Sequence, residues 1–219
     1  RVPLTAAEHH VSDRSLAIAR AAFPGGSAAP AAGPLPVPPA AAVSVEKRLL
    51  ELGAEGRPLV VLHYGTTWTT KLWPLANWRS LAAALAQRGI RPVLTWGNEA
   101  ELAAVREIAA VCGGRAIIWP RGTLAELVAL LARADLVVGC DTGPVHIAAA
   151  VGTATVSLYR VTDARRNGPR GERHICLQSP LECSPCLTKS CERDAECGGS
   201  IPPETVIAAV ERLLERSGS

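Results

Sequence analysis

A carboxylate, a hydroxyl, a glycine amide and an imidazole fall within one short segment, Asp141-Thr-Gly-Pro-Val-His146. The apolar run 136–140 precedes this segment and the small-residue run 148–152 follows it, a pattern typical of a buried strand, a tight turn and a helix start. Amide groups at a helix start bind anions such as a diphosphate. Helix capping by Asp141 and a core position for His146 are the structural alternatives, but capping requires neither Thr-Gly nor a histidine one turn later. We therefore expect a binding site at this turn.

A second group of polar residues follows the predicted strand 58–63, where the chain reads Gly65-Thr-Thr-Trp-Thr-Thr-Lys71. Glycine lets the backbone approach a ligand closely, threonine hydroxyls donate hydrogen bonds, and lysine adds a compact positive charge. Lysine is scarce in this chain, which has three lysines against 20 arginines. These groups are typical of phosphate binding, although the Walker spacing is absent. The alternative is a solvated loop lysine.

Two carboxylates, Glu99 and Glu101, begin the helix that follows the predicted strand 91–96. Acidic residues at a helix start interact favourably with the helix dipole, which is a sufficient structural explanation. Dinucleotide-binding folds also use such a carboxylate to accept hydrogen bonds from ribose hydroxyls. The residues alone leave both explanations open.

The elements that must position these residues alternate between short apolar strands and longer helices. Strands are predicted at 58–63, 91–96, 115–119, 135–140, 154–159 and 173–178, and helices at 12–23, 44–53, 75–88, 99–111, 123–133, 144–151 and 203–216. The strands are apolar along their whole length, as expected for parallel strands covered on both faces. In such a sheet the loops after the strands meet at one edge, where ligands bind.

The segment 24–43 is rich in proline and alanine and predicts an extended linker without helix or inner strand. It divides the chain into a short piece, 1–23, whose helix we expect to be capped by Ser12 or Asp13, and a domain, 44–219. The chain begins with arginine and contains no methionine, so we expect a fragment or a processed chain.

Charge and hydropathy exclude several classes of function. The net charge of +3, without a block of five like charges, does not favour nucleic-acid binding. No apolar run reaches about 18 residues, so no membrane-spanning helix is expected. The seven cysteines are unevenly spaced, which fits a reducing compartment better than a disulfide framework.

Four of these cysteines lie in residues 183–197, here called the Cys-rich segment, with the spacing Cys183-x2-Cys186-x4-Cys191-x5-Cys197. Four thiolates are able to bind a structural zinc ion tetrahedrally, but the zinc-like spacing of the first pair is not repeated in the second. Disulfides and reduced thiols are the alternatives. We expect a local structural role rather than a catalytic one.

Several of these runs together resemble a known family. The runs HYGTTWTTKLWPLANWRSLAAAL, TWGNEAE and DLVVGCDTGPVHIAAAVGT, followed by NGPRG, CSPC…C…C and IPPETVIAAVERLL, are similar to the bacterial ADP-heptose:lipopolysaccharide heptosyltransferases of glycosyltransferase family 9, particularly the second heptosyltransferase type. The resemblance covers residues 44–219, and residues 4–23 look like the last part of the family's N-terminal domain. It implies an α/β fold, a Rossmann-like parallel sheet with helices on both faces, as the C-terminal domain of a GT-B glycosyltransferase.

The resemblance also implies roles for individual residues. Lys71 and Asp141 are the residues it marks as catalytic. The donor nucleotide sugar, ADP-heptose, would contact eight residues: Thr66, Thr67 and Lys71 at the diphosphate, Glu101 at the ribose, Asp141, Thr142 and Gly143 at the phosphates and sugar, and His146 nearby. The adenine would pack near 120–122. No metal ligand and no further cofactor is implied.

The family inverts the configuration at the anomeric carbon, using a carboxylate base of the N-terminal domain, which would lie upstream of Arg1. The acceptor is a lipid-linked sugar, which implies a cytoplasmic protein with peripheral contact to the inner membrane. Two alternatives stay open: a related GT-B transferase for another nucleotide sugar, and a non-catalytic nucleotide-sugar-binding protein. A dehydrogenase is disfavoured because no GxGxxG follows the first strand.

Overall fold

Six short segments pair side by side as a parallel sheet in the computed structural model, which describes residues 9–25, 34–54 and 56–217. The strands are β1 (Leu59–His63), β2 (Arg91–Thr95), β3 (Ile117–Ile118), β4 (Leu136–Cys140), β5 (Ala154–Tyr159) and β6 (His174–Gln178). Their order is β3-β2-β1-β4-β5-β6, and each neighbouring pair is parallel. The predicted Rossmann-like parallel sheet is therefore confirmed.

Helices connect the strands and cover the sheet. They are α1 (Val11–Ala22), α2 (Pro39–Glu51), α3 (Leu75–Gln87), α4 (Glu99–Ala110), α5 (Leu124–Arg133), α6 (Gly143–Ala150), α7 (Ala164–Asn167), α8 (Asp194–Gly199) and α9 (Pro203–Ser217), with a 3-10 turn at Thr69–Lys71. No helix among the described residues combines the length and the apolar character needed to cross a membrane.

Both faces of the sheet are buried, because alternate residues of each strand enter different cores. Val60 and Leu62 of β1 belong to the core that α3, α4 and α9 cover. Leu59 and Val61, the alternate residues, belong to the core that α2, α5 and α6 cover. This alternation explains why the strand is apolar along its whole length.

The strand order reverses between β1 and β4. The chain runs outward from β1 through β2 to β3, then returns to the other side of β1 and continues from β4 through β5 to β6. The loops that follow β1 and β4 therefore diverge and leave a crevice at the carboxyl edge of the sheet. The two predicted phosphate-binding segments both border this crevice.

Close packing of α6 on β4 depends on Gly139. A Cβ atom at this position would lie 2.6 Å from Cγ2 of Val145 in α6. Glycine thus lets the start of α6 approach the end of β4, which places the turn between them against the sheet.

The structure corrects several predicted boundaries. Helix α2 begins at Pro39, inside the segment whose proline density predicts no helix. Proline is compatible with the first helical position, where a backbone N–H would have no partner within the helix. Residues 26–33 of that segment lie outside the described residues. The cap of α1 is His10, whose Nδ1 accepts a hydrogen bond from the Ser12 amide, so the predicted caps Ser12 and Asp13 are wrong. Helices α7 and α8 and the 3-10 turn were not predicted.

Helix α1 has no buried residue, and polar contacts connect its N-terminal end to residues 163–170. Nε2 of His9 lies 2.8 Å from Asp163 Oδ2, and Nε2 of His10 lies 2.9 Å from the carbonyl oxygen of Gly168. The Arg170 guanidinium donates two hydrogen bonds to the Asp13 carboxylate.

Candidate functional site

The crevice at the carboxyl edge of the sheet is a cleft of about 520 Å³. This volume is within the range of small-molecule sites, about 300–1,000 Å³. All eight residues that the sequence analysis assigned to a ligand line it: Thr66, Thr67, Lys71, Glu101, Asp141, Thr142, Gly143 and His146. The structure therefore brings together residues from the loops that follow three different strands, β1, β2 and β4.

An ion pair links the two sides of the cleft. Nζ of Lys71 lies 2.9 Å from Oδ2 of Asp141 and 3.3 Å from its carbonyl oxygen. Both side chains are largely buried, with 16% of the Lys71 side chain and 6% of the Asp141 side chain exposed. The ammonium group is therefore held at a fixed position beside the start of α6.

Asp141 accepts hydrogen bonds from several directions. Nε2 of His146 lies 3.2 Å from its Oδ1, and Nδ2 of Asn167 lies 3.4 Å from its Oδ2. Burial alone would raise the pKa of Asp141, but the hydrogen bonds from His146 and Lys71 outweigh it and hold that pKa well below its usual range. Asp141 is therefore a weak base that stays ionised, suited to orienting neighbouring cations.

The backbone amides at the start of α6 lie next to the Lys71–Asp141 ion pair and are further hydrogen-bond donors. Thr142 is the N-cap residue, but its side chain makes no hydrogen bond to the first helical amides; its hydroxyl donates instead to the carbonyl of Cys140 at 3.2 Å. Because Asp141 is committed to Lys71 and His146, it does not cap the helix, and the structural alternative for Asp141 is wrong. A helix start without a side-chain cap is a site for an anion.

Glu101 has a structural role at the start of α4 and also lines the cleft. Its Oε2 accepts a hydrogen bond from the Gly97 amide at 2.6 Å, and its Oε1 accepts one from Asn98 Nδ2 at 2.9 Å. Asn98 caps α4 by accepting from the Glu101 amide. A Cβ atom at Gly65 would lie 2.6 Å from Oε2 of Glu101, so the carboxylate lies directly against the loop that follows β1. Each carboxylate oxygen retains a lone pair for a ligand.

Two residues near Asp141 and Glu101 were not assigned to the site from the sequence. His63, the last residue of β1, lines the cleft, and its Nδ1 lies 2.9 Å from the hydroxyl of Thr95 at the end of β2. Burial lowers the pKa of His63 to about 4, so its imidazole is neutral near pH 7. Asn167 comes from α7, which was not predicted. The position of His63 at a strand end was the available signal, whereas Asn167 reaches the site from the last position of a four-residue helix.

Two further cavities each share a lining residue with the cleft. The first, of about 190 Å³, shares Gly97 and is lined by the 120–122 segment, Trp96 and Trp119. The second, of about 460 Å³, shares His146 and is lined by His10, Asn167 and Arg170. The segment predicted to lie near adenine is thus adjacent to the cleft on the Gly97 side.

The Cys-rich segment packs against the loop that follows β1. All seven cysteines of the chain lie within the described residues and are free thiols, so the disulfide alternative is wrong for this structure. No group of three or more His, Cys, Asp or Glu side chains in the described ranges is arranged to hold a metal ion, which gives the zinc alternative no support. The buried Cys197, whose thiol lies 3.8 Å from the Ser179 hydroxyl, favours a local structural role.

Comparisons with known proteins identify the family to which the chain is similar. The family model of glycosyltransferase family 9 (heptosyltransferase) matches residues 5–195. Lipopolysaccharide heptosyltransferase 1 of Pseudomonas aeruginosa is 40% identical over 136 residues, which cover 62% of this chain and 38% of that protein. Lipopolysaccharide heptosyltransferase 3 of Escherichia coli is 33% identical over 174 residues, which cover 78% of this chain and 51% of that protein. The aligned residues thus span about two fifths to one half of the length of these relatives. The two relatives are of types 1 and 3, so the particular likeness to the second heptosyltransferase type stays a prediction.

Solved structures share the fold. The E. coli heptosyltransferase WaaC with ADP matches 97% of this chain and 58% of its own, with a TM-score of 0.71 and 22% identity. A glycosyltransferase of family 9 from Veillonella parvula matches 99% of this chain and 62% of its own, with a TM-score of 0.78 and 20% identity. These similarities confirm the predicted fold class. Because the family model extends over most of the sequence, the chain belongs to glycosyltransferase family 9, the heptosyltransferase family.

Proposed function

We propose that this chain is the donor-binding part of an inverting heptosyltransferase, which transfers heptose from ADP-heptose to a lipid-linked sugar acceptor of the lipopolysaccharide core. The observation that carries the proposal is the single cleft in which all eight assigned residues meet around the Lys71–Asp141 ion pair. Family membership and the likeness to the structure of E. coli WaaC with ADP support the choice of donor.

The cleft suggests how the donor nucleotide would lie. Lys71, the hydroxyls of Thr66 and Thr67 and the start of α6 would bind the diphosphate. Glu101 would accept hydrogen bonds from the ribose, and the adenine would extend past Gly97 towards the cavity lined by 120–122. The heptose would then lie on the His146 side of the cleft.

In this proposal the cleft acts on the leaving group. An acceptor hydroxyl attacks C1 of the heptose from the face opposite the diphosphate, the bond between C1 and the phosphate oxygen breaks, and ADP departs with the bonding electron pair. Lys71 and the α6 amides stabilise the negative charge that develops on the diphosphate, which is electrostatic catalysis by groups already in place.

Asp141 has a different role from a catalytic base. Its low pKa makes it a poor proton acceptor, so it orients Lys71 and contacts the sugar or phosphates. Deprotonation of the acceptor is assigned to a carboxylate of the acceptor-binding part, as the family resemblance implies. The lipid-linked acceptor favours a cytoplasmic location with peripheral contact to the inner membrane, and nucleic acid is not a proposed partner.

A thermal-shift titration of the 219-residue chain with ADP, UDP and GDP tests this assignment. We expect ADP, at about 100 times its dissociation constant, to raise the midpoint by roughly 5 to 10 °C and the other two nucleotides to raise it less. A larger shift with UDP or GDP would indicate another nucleotide-sugar transferase. No shift with any of the three would overturn the proposal of a nucleotide-sugar site.

A further inference from the structure

Trp68, in the loop that follows β1, is in contact with two of the three lysines of the chain. Nζ of Lys71 lies 5.0 Å from the centroid of its indole ring, and Nζ of Lys189 lies 4.9 Å from it. Both distances are within the range of cation–π attraction, about 6 Å. The ring of Trp68 thus connects the ammonium group of Lys71, which lines the cleft, with that of Lys189, which comes from the Cys-rich segment outside the cleft lining.

Two hydrogen bonds hold the Cys-rich segment in this position. The hydroxyl of Thr70, the residue before Lys71, donates to the carbonyl oxygen of Thr188, the residue before Lys189, at 2.7 Å. The amide of Leu187 donates to the carbonyl oxygen of Val161 at 2.9 Å. Leu187 has a φ of 57°, a left-handed conformation that a bulky residue adopts only when its surroundings enforce it. The backbone immediately before Lys189 is therefore fixed against the loop that carries Trp68.

The charge balance of the two lysines differs. The positive charge of Lys71 is compensated by Asp141, with which it forms a buried ion pair. Among the described residues, no carboxylate oxygen lies within ion-pairing distance of Lys189, whose ammonium group lies over the ring of Trp68. An anion bound beside the Trp68 ring would be attracted by both ammonium groups. Lys189 is thus a cation available for an anionic ligand of the cleft.

We propose that Lys189 is a second phosphate-binding residue of the donor site, so that the Cys-rich segment extends that site beyond the residues that line the cleft. The proposal rests on the proposed function, because the anion it binds is the diphosphate of the donor. The Lys71–Asp141 pair has no net charge and therefore leaves the negative charge of a diphosphate unbalanced. Lys189 supplies a positive charge that no carboxylate compensates in the part of the chain that the structure describes. The thiols of the segment need no reactivity in this role; their segment positions the lysine.

Calorimetric titration of the 219-residue chain with ADP and adenosine tests the inference. In Lys189→Ala we expect the dissociation constant for ADP to rise roughly fivefold, the upper range for an exposed charge pair, and to depend less on salt. The dissociation constant for adenosine, which lacks phosphate, should stay unchanged. Lys189→Arg should retain most of the ADP affinity. The matched control is Lys47→Ala, which removes the remaining lysine, an exposed residue of α2 paired with Glu51.

The outcomes separate this inference from the proposed function. If the unmodified chain binds ADP and Lys189→Ala binds it equally well, the inference is wrong and the donor site stands. An equal loss with adenosine, or an equal loss in Lys47→Ala, would also contradict a phosphate contact. If the unmodified chain binds no ADP, both proposals fall. Because Lys189 is exposed, unfolding of the variant is not expected, and the midpoint without ligand checks this.

Discussion

Lys71 and Asp141 are 70 residues apart in the sequence, yet their side chains meet with 2.9 Å between Nζ and Oδ2. Each follows one of the two adjacent strands between which the strand order reverses, β1 and β4. The ion pair therefore spans the crevice that this topology creates. Its two halves are joined only when the centre of the sheet has formed.

Removal of either charge should abolish most heptose transfer. In a protein that carries both parts of the family architecture, we expect Lys71→Ala and Asp141→Ala each to lower kcat/KM at least about 100-fold, because a preorganised group that stabilises the leaving diphosphate is lost. Steady-state kinetics with ADP-heptose measures the effect. Lys47→Ala is the control, and near-normal turnover in both cleft variants would contradict the proposed roles.

The same ion pair should contribute to stability in a strongly non-additive way. Lys71→Met leaves the Asp141 carboxylate buried without its ammonium partner, which costs about 3–5 kcal/mol of the free energy of unfolding for a buried pair. Lys71→Met combined with Asp141→Asn should cost less than the sum of the single changes, by about 1–3 kcal/mol. Urea denaturation at pH 7 measures all four proteins. Strictly additive losses would show that the pair is not coupled.

Glu101 and Glu99 form a matched pair for testing the ribose contact. Both begin α4, but only Glu101 lines the cleft. We expect Glu101→Ala to weaken ADP binding roughly tenfold, the order of a hydrogen bond to a charged group, and to leave pyrophosphate binding unchanged. Glu99→Ala should leave both affinities unchanged. Equal effects of the two substitutions would assign Glu101 to the helix start alone.

His63 should make the fold sensitive to mild acid. Its pKa is lowered to about 4 in the folded chain, against 6.5 for the ordinary group, so between these values the unfolded chain binds a proton that the folded chain does not. The free energy of unfolding therefore decreases as the pH falls from 6.5 to 4, by about 3 kcal/mol at most from this residue.

The variant His63→Gln isolates this contribution, since glutamine keeps a polar partner for Thr95 and does not titrate. Denaturation at pH 7 and at pH 4.5 should show a smaller pH-dependent loss in the variant than in the unmodified chain. Equal losses in the two proteins would show that His63 is not the titrating group. His174, whose pKa burial also lowers, is present in both and cancels in the comparison.

Sequence patterns predicted the central part of this fold well because burial dominates there. The apolar runs of β1, β4 and β5 predict that each strand lies in the interior of a sheet covered on both faces. The polar residues that follow these strands then meet at one edge of the sheet. The gathering of Lys71, Glu101 and Asp141 in one cleft followed from this topology and from the resemblance.

Other features depend on contacts that leave no periodic signal. The high proline content of the segment before residue 44 predicts no helix there, yet α2 begins at Pro39. Proline is tolerated at that position because the first helical residues donate no amide hydrogen bond within the helix. The contacts of Asn167 with Asp141 and of Lys189 with Trp68 arise where a four-residue helix and irregular loops pack against the site, and spacing does not encode such packing. The cap of α1 is a histidine, outside the usual set of Ser, Thr, Asp and Asn.

The close packing of Gly139 against Val145 means that the size of the side chain at one position limits the size at the other. Any side chain larger than hydrogen at 139 would push α6 outward, and the backbone donors at its start would move with it. A methyl group gained on the strand would thus have to be matched by a smaller residue on the helix. Substitution at 139 alone is therefore expected to act on ligand affinity through geometry, although this residue carries no functional group of its own.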